Sequence, residues 1–185
     1  MRIIAGKYKS RRLEYPKTRD VRPTMDKVKE SMFNMLGRDI EDAKVLSIFS
    51  GSGSLGFEAL SRGARHVTFV DLNPESIRVI EHNKKSLGIA DQESVIIKAN
   101  AFSYIEILAR KGERFDYIFI DPPYYQDLIK KTLMKLEGFD ILAPISYLVI
   151  EHAKDEPIPA SNVFNIINNK KFGATLVTIC QKVEA

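Results

Sequence analysis

Two short stretches of the chain combine residue types that do chemistry. The first is Gly51-Ser52-Gly53-Ser54-Leu55-Gly56, a G-x-G-x-x-G pattern placed between an apolar run and a helical one. Its glycines let the backbone turn tightly and approach a ligand closely. Twenty residues after Gly51 stands Asp71, at the end of the next apolar run. A carboxylate there can accept hydrogen bonds from both hydroxyls of a ribose. Loop and acid together suit a nucleoside-containing ligand, and NAD and S-adenosylmethionine suit it equally; a plain tight turn beside a surface aspartate is the bland alternative.

The second stretch, Asp121-Pro122-Pro123-Tyr124, separates the two ligands. An exocyclic amine on a base is a poor nucleophile, because its lone pair is conjugated into the ring. Acceptors must hold its N–H bonds so that the nitrogen can pyramidalise toward a methyl donor. The Asp121 carboxylate and the Pro122 carbonyl are two such acceptors, and the fixed φ angles of Pro122 and Pro123 hold that carbonyl rigid. Tyr124 offers a flat surface on which a displaced base can stack. Position and electrostatics suffice for such a transfer, with no metal and no covalent enzyme intermediate. Hydride transfer has no evident use for the tetrapeptide. Its bland reading is a strand ended by a proline turn.

The elements that must carry these residues are legible as short apolar runs alternating with helical stretches. Strands are predicted at Lys44–Ser50, His66–Asp71, Ser94–Ala99, Phe115–Asp121 and Ser146–Glu151. A helix runs from the glycine loop to about Arg62. Another is capped by Asn73, with Pro74 at its first position and Gly88 past its end, and a third ends near Arg110. Before them, Thr24 can cap a helix over roughly 25–36, with Val28, Met32, Met35 and Leu36 on one face. Val163–Asn168 and Phe172–Cys180 read as an antiparallel hairpin turning at Asn169-Lys170-Lys171. The pattern predicts an α/β fold: a mostly parallel, doubly wound sheet with a C-terminal antiparallel hairpin. Such sheets bind ligands beyond the C-terminal ends of their strands, where both motifs fall.

Composition narrows the class. The chain has 185 residues, 44% of them apolar, enough for one core without staples, and the lone Cys180 excludes a disulfide framework. No apolar run approaches the ~18 residues of a membrane span, and no signal peptide is evident, so a cytoplasmic protein is expected. The net charge of +4 hides an asymmetry: residues 1–38 carry eleven Lys/Arg against four Asp/Glu, and the rest seventeen against twenty. Residues 1–38 therefore read as a basic N-terminal extension, a hairpin plus a helix, on a main domain of 39–185. Ile3-Ile4 and Leu13 bracket Gly6-Lys7-Tyr8 as a short hairpin able to aim Arg2, Lys7, Lys9, Arg11, Arg12 and Arg22 at a phosphate backbone. Tyr8 and Tyr15 suit base stacking or packing equally.

These residues carry a family resemblance over essentially the whole chain. Met1-Arg2-Ile3-Ile4-Ala5-Gly6-Lys7-Tyr8, Arg22-Pro23-Thr24, Val28–Asn34, the glycine loop with its helix through Ala64, Asp121-Pro122-Pro123-Tyr124 and Lys171-Phe172-Gly173 resemble the bacterial RsmD family of small-subunit (16S) ribosomal RNA guanine-N2 methyltransferases. The resemblance implies a Rossmann-like class I S-adenosylmethionine-dependent fold. It implies Phe49, Gly51 and Gly53 at the methionine end of the cofactor, Asp71 on the ribose, Leu72 against the adenine, and Asn100-Ala101 at the adenine edge. Asp121, Pro122, Pro123 and Tyr124 would grip the guanine, and the basic hairpin would touch ribosomal RNA in a partly assembled small subunit. Two departures bear on cofactor affinity: Ser47 and Asn100 stand where the family commonly has acids.

Three rivals remain. A DNA amino-methyltransferase would need a target-recognition insertion, for which 185 residues leave little room. A nicotinamide-dependent reductase explains only the glycine loop. A non-catalytic RNA-binding protein would have no need of the intact Asp121–Tyr124 motif. His66, His82 and His152 lack metal-ligand spacing, so no metal is expected, and His152 is expected at the surface. Cys180 is expected as a buried thiol without an activating neighbour. A monomer is expected.

Overall fold

The computed structural model describes residues 1–16, 26–37 and 40–183. Thr24 and Arg22 lie outside them, as do Lys17 and Arg19. The elements run α1 (Asp26–Leu36), β1 (Lys44–Ile48), α2 (Ser54–Ser61), β2 (His66–Asp71), α3 (Pro74–Leu87), β3 (Ser94–Lys98), α4 (Ala101–Arg110), β4 (Phe115–Ile120), α5 (Leu128–Gly138), β5 (Leu142–Ala153), β6 (Phe164–Phe172) and β7 (Thr175–Lys182). Seven strands form one sheet in the order β3-β2-β1-β4-β5-β7-β6. The first five are parallel; β7 runs antiparallel to β5 and β6. This is the Rossmann-like, doubly wound architecture expected from the alternation. Strand order reverses between β1 and β4, which opens the crevice where such sheets bind ligands.

Because strand side chains alternate, each strand feeds two cores. Val45, Phe69, Tyr117 and Phe119 pack on one face with α1, α2 and α3. Leu46, Ile48, Val70, Ile118 and Ile120 pack on the other with α4 and α5. With both faces covered, the strands read as nearly continuous apolar runs.

The N-terminal hairpin forms as expected. Ile3 N–H donates to Arg11 O at 3.0 Å and Ser10 N–H to Ile3 O at 2.9 Å, with a bridge between Arg2 and Arg12. Ile3, Tyr8 and Leu13 join the same core as α1 and α2. Gly6 makes this docking possible: it sits at φ 80°, and a Cβ there would fall 1.7 Å from Ser61 O. Beneath it, fully buried Glu58 accepts from Ile4 N–H at 2.8 Å and Ala5 N–H at 3.1 Å. Glu58 also pairs with fully buried Lys29 of α1 at 3.4 Å and with Arg62 at 2.8 Å. Hairpin, α1 and α2 are thus tied through one carboxylate.

Three expectations are corrected. Helix α5 was not anticipated, although Ile129, Thr132, Leu133 and Leu136 bury one face at helical spacing. Its N-cap Asp127 sits at φ 55° and makes no side-chain cap, so the usual start signal is missing. Strand β5 extends well beyond Ser146–Glu151 at both ends. The C-terminal hairpin turns at Gly173-Ala174 rather than at Asn169-Lys170-Lys171. Gly173 accepts φ 62°, which the turn needs. The polar run instead lies along β6, an edge strand exposed over most of its length, where no helix demands apolar residues.

Candidate active site

The C-terminal ends of β1, β2, β3 and β4 open into one cavity of about 790 Å³. Phe49, Gly51, Asp71, Leu72, Asn100, Ala101, Asp121, Pro122, Pro123 and Tyr124 all line it. Residues from four separate stretches of sequence thus meet at the reversal of strand order.

Gly53 is the one predicted site residue of the described set at these strand ends that the cavity wall does not include. It shapes the loop from behind. At φ 77° it donates its N–H to Ser50 O at 2.7 Å, and a Cβ would meet the Phe57 ring at 2.7 Å. Gly51 does touch the cavity, and its N–H donates to Asp71 Oδ2 at 2.8 Å. The other carboxylate oxygen of Asp71 accepts from Asn73 N–H at 2.8 Å. Burial holds this carboxyl above its ordinary value of 3.8, while those backbone donors pull it back toward ionisation. Hydrogen bonds from Ser76 and from Leu72 N–H add to these, so the carboxylate is held by donors of its own loop at the cavity wall. Ser50 completes the pinning: its hydroxyl donates to Ser47 O at 2.7 Å and accepts from Val70 N–H at 3.0 Å. Phe49, at φ 54°, is a non-glycine residue in left-handed conformation, the kind of strain that surrounding structure must hold in place.

Ser47 is buried at the cavity wall with its Oγ 3.2 Å from that of Ser50, so it belongs to the loop-pinning network. Asn100 lines the cavity and also serves its own helix. Its Oδ1 caps α4, accepting from Phe102 N–H at 3.0 Å and Ser103 N–H at 3.3 Å. Both lone pairs of that oxygen are engaged, which leaves the amide N–H₂ for a ligand. Leu72, 62% exposed, stands as an apolar flap at the rim.

Across the cavity, the Asp121–Tyr124 turn follows β4. The Tyr124 hydroxyl lies 3.3 Å from Glu151 Oε1 and 3.1 Å from Thr175 Oγ1. Burial, with the carboxylates of Glu151 and Asp121 nearby, pushes the phenol far above its ordinary value of 10, against a smaller opposing effect of Thr175. The phenol therefore keeps its proton and donates it to Glu151, while Thr175 donates to the phenol. Glu151 is a buried wall residue that the sequence reading did not place in the site. The sequence shows a carboxylate at the end of an apolar run there, but the pairing that sets it beside the strand ending at Asp121 is seen only in the fold. Ser50, Ser52 and Met1 also line the cavity and were not anticipated.

Other expectations resolve plainly. His152 is buried rather than at the surface; its Nε2 lies 2.8 Å from Thr178 Oγ1 and its Nδ1 2.8 Å from Glu156 O. Burial pushes its pKa down from 6.5. Cys180 is buried, and burial pushes its thiol up to about 11, which leaves it no use as a nucleophile. Tyr8 is buried and so packs, whereas Tyr15 is 49% exposed. Arg2, Lys7, Lys9, Arg11 and Arg12 are all exposed on the hairpin. Three are partly engaged: Arg2 Nε pairs with Asp26 at 2.9 Å, Lys7 Nζ lies 5.0 Å from the centroid of the Tyr8 ring, and the Arg11 guanidinium donates to Ser86 O at the end of α3. Among the described residues, no cluster of three or more His, Cys, Asp or Glu side chains suits a metal, and no helix is long and apolar enough to cross a membrane.

Known proteins with this sequence and fold are readily found. Residues 1–181 match the family described as Conserved hypothetical protein 95. YlbH of Bacillus subtilis is 35% identical, over 98% of this chain and 99% of its own. Ribosomal RNA small subunit methyltransferase D of Haemophilus influenzae is 32% identical, over 94% of this chain and 89% of its own. The solved structure of yhhF from Escherichia coli superposes with a TM-score of 0.86 at 31% identity, over all of this chain and 99% of that one. The chain belongs to this family, the one that includes the ribosomal RNA small subunit methyltransferases D.

Proposed function

We propose that the protein methylates the exocyclic N2 amine of a guanine in small-subunit (16S) ribosomal RNA, with S-adenosylmethionine as methyl donor. The observation that carries this reading is the sharing of one cavity by two halves of a reaction: the ribose-type acid Asp71 on the loop side, and the amine-gripping turn Asp121–Tyr124 on the other. The residues fit the donor's adenosine, with Asp71 for the ribose hydroxyls, Leu72 for an adenine face and the Asn100 amide for a ring acceptor. When bound, S-adenosylmethionine supplies an electrophilic methyl on a positively charged sulfur.

The chain's own residues do the rest. Tyr124, fixed through its hydroxyl, presents its ring to a base turned out of its stack. The Asp121 carboxylate and the Pro122 carbonyl accept the two N–H bonds of the amine, which frees the nitrogen lone pair. As the bond from sulfur to methyl breaks and positive charge builds on the nitrogen, Asp121 stabilises it in a partly dry site and then accepts the proton the methylated amine sheds, passing it to solvent. The exposed cations of the hairpin hold the RNA backbone. The resemblance and the names of relatives favour ribosomal RNA over DNA. We place the protein in the cytoplasm, acting as a monomer on small subunits or their assembly intermediates.

The test is incubation of the protein with labelled S-adenosylmethionine and small subunits from cells lacking it, followed by nucleoside mass spectrometry. N2-methylguanosine in the RNA is the expected product. Label on another nucleoside, or no transfer to subunits and naked RNA alike, would overturn the reading.

A further inference from the structure

The cavity holds a second carboxylate that the mechanism above does not use. Register places it: Ile120 of β4 pairs with Ile150 of β5, so Asp121 and Glu151 are the next residues on neighbouring parallel strands. Strands in a sheet lie about 4.8 Å apart, so the two acids are side by side at the cavity floor. Glu151 is only 6% exposed, yet it forms part of the wall. Removing an acid from water is costly, and a fold tolerates it where donors are present to satisfy it. The Tyr124 hydroxyl is a donor to it at 3.3 Å, itself steadied by Thr175 at 3.1 Å. That relay fixes the direction of the carboxylate and ties it to the aromatic ring on which the base would stack. A carboxylate offers about four lone-pair sites, so Glu151 has capacity for a ligand beyond the phenol.

Resting on the guanine reading above, we infer that Glu151 selects the target base by accepting the ring N1–H of guanine while Asp121 accepts the adjacent N2 amine. The edge of guanine that carries the amine presents a run of donors, N1–H and the two N2–H bonds. Two adjacent carboxylates complement that run. Adenine offers a lone pair at its N1, as does 2-aminopurine, which keeps the 2-amine but has no N1 hydrogen. Either would set a lone pair against the negative charge of Glu151. Sites that hydrogen-bond a substrate N–H reject analogues that lack it more strongly than apolar pockets reject a change in size. Glu151 is on this account a specificity-determining residue, and Tyr124 and Thr175 position it.

The test uses small subunits reconstituted with RNA carrying either guanine or 2-aminopurine at the methylated position. Wild-type protein is expected to prefer guanine by roughly tenfold or more in kcat/KM. Glu151→Gln offers an amide N–H₂ that can donate to the N1 of 2-aminopurine, so its preference should collapse or invert, with S-adenosylmethionine affinity unchanged by calorimetry. Tyr124→Phe, which keeps the ring and removes the orienting hydroxyl, should move the same ratio the same way by less, and serves in its place if Glu151→Gln does not fold. A purely structural role for Glu151 would lower both rates together. Normal guanine methylation with an unaltered guanine to 2-aminopurine ratio overturns this inference alone; no guanine methylation by the wild type overturns it together with the functional reading.

Discussion

At the scale of single residues, Asp71 does two jobs with one carboxylate. It pins Gly51 and Asn73 through their N–H groups, and in the proposed reading it also holds the ribose of the methyl donor. Asp71→Ala is therefore expected to weaken S-adenosylmethionine binding by roughly 1–3 kcal/mol, the cost of leaving buried polar groups unpaired. Calorimetric titration measures it, and unchanged affinity would remove Asp71 from the cofactor site. Residues of this kind were legible because their chemistry is local: a glycine loop, an acid one strand away, an Asp-Pro-Pro-Tyr turn. Glu151 was not, and neither was the bond of Val70 N–H to Ser50, because each acts through a neighbour distant in sequence. Nothing near position 151 indicates that its strand lies beside the one ending at Asp121. Asn100 serves its helix as well as the cavity it lines. Its residue type suited an adenine contact, but the start of α4 needed an acceptor for two N–H groups, and that local demand takes the oxygen.

At the scale of elements, the parallel strands and their helices were readable from apolar runs, the Asn73-Pro74 start and the Gly88 stop. Helix α5 was not, because its left-handed Asp127 start carries no cap. The polar run Asn169-Lys170-Lys171 resembles a turn in composition, but the positive φ at Gly173 decides where the last hairpin turns. The N-terminal hairpin was recognised, but not what holds it down. Its docking rests on Glu58, which accepts two of its backbone N–H groups and neutralises the buried ammonium of Lys29. Burial drives the Lys29 pKa down, while Glu58 opposes that shift. Glu58→Ala would leave the ammonium buried without its partner carboxylate, and a loss of about 3–5 kcal/mol of unfolding free energy is expected in denaturant titration. A loss below about 1 kcal/mol would show that the hairpin and α1 dock by apolar packing alone.

At the scale of the whole molecule, charge and catalysis sit on adjoining parts of one surface. The hairpin carries exposed Lys7, Lys9, Arg11 and Arg12, and its first residue, Met1, lines the cavity. An RNA backbone held by these cations would lie beside the opening through which its base must enter. Lys9→Ala with Arg12→Ala, two cations with no partner role in the fold described above, is expected to weaken RNA binding and reduce the slope of log K against log salt by about 1–2. An unaltered slope would make the hairpin a structural element only. The account as a whole stands on the turn after β4, where the amine must be gripped. The direct measurement is methyl transfer to small subunits by Asp121→Ala, with S-adenosylmethionine affinity determined by calorimetry on the same preparation. Transfer falling by a hundredfold or more, roughly what loss of a key electrostatic contact costs, with donor affinity retained, is the expected result. Transfer at the wild-type rate would contradict the account at its centre.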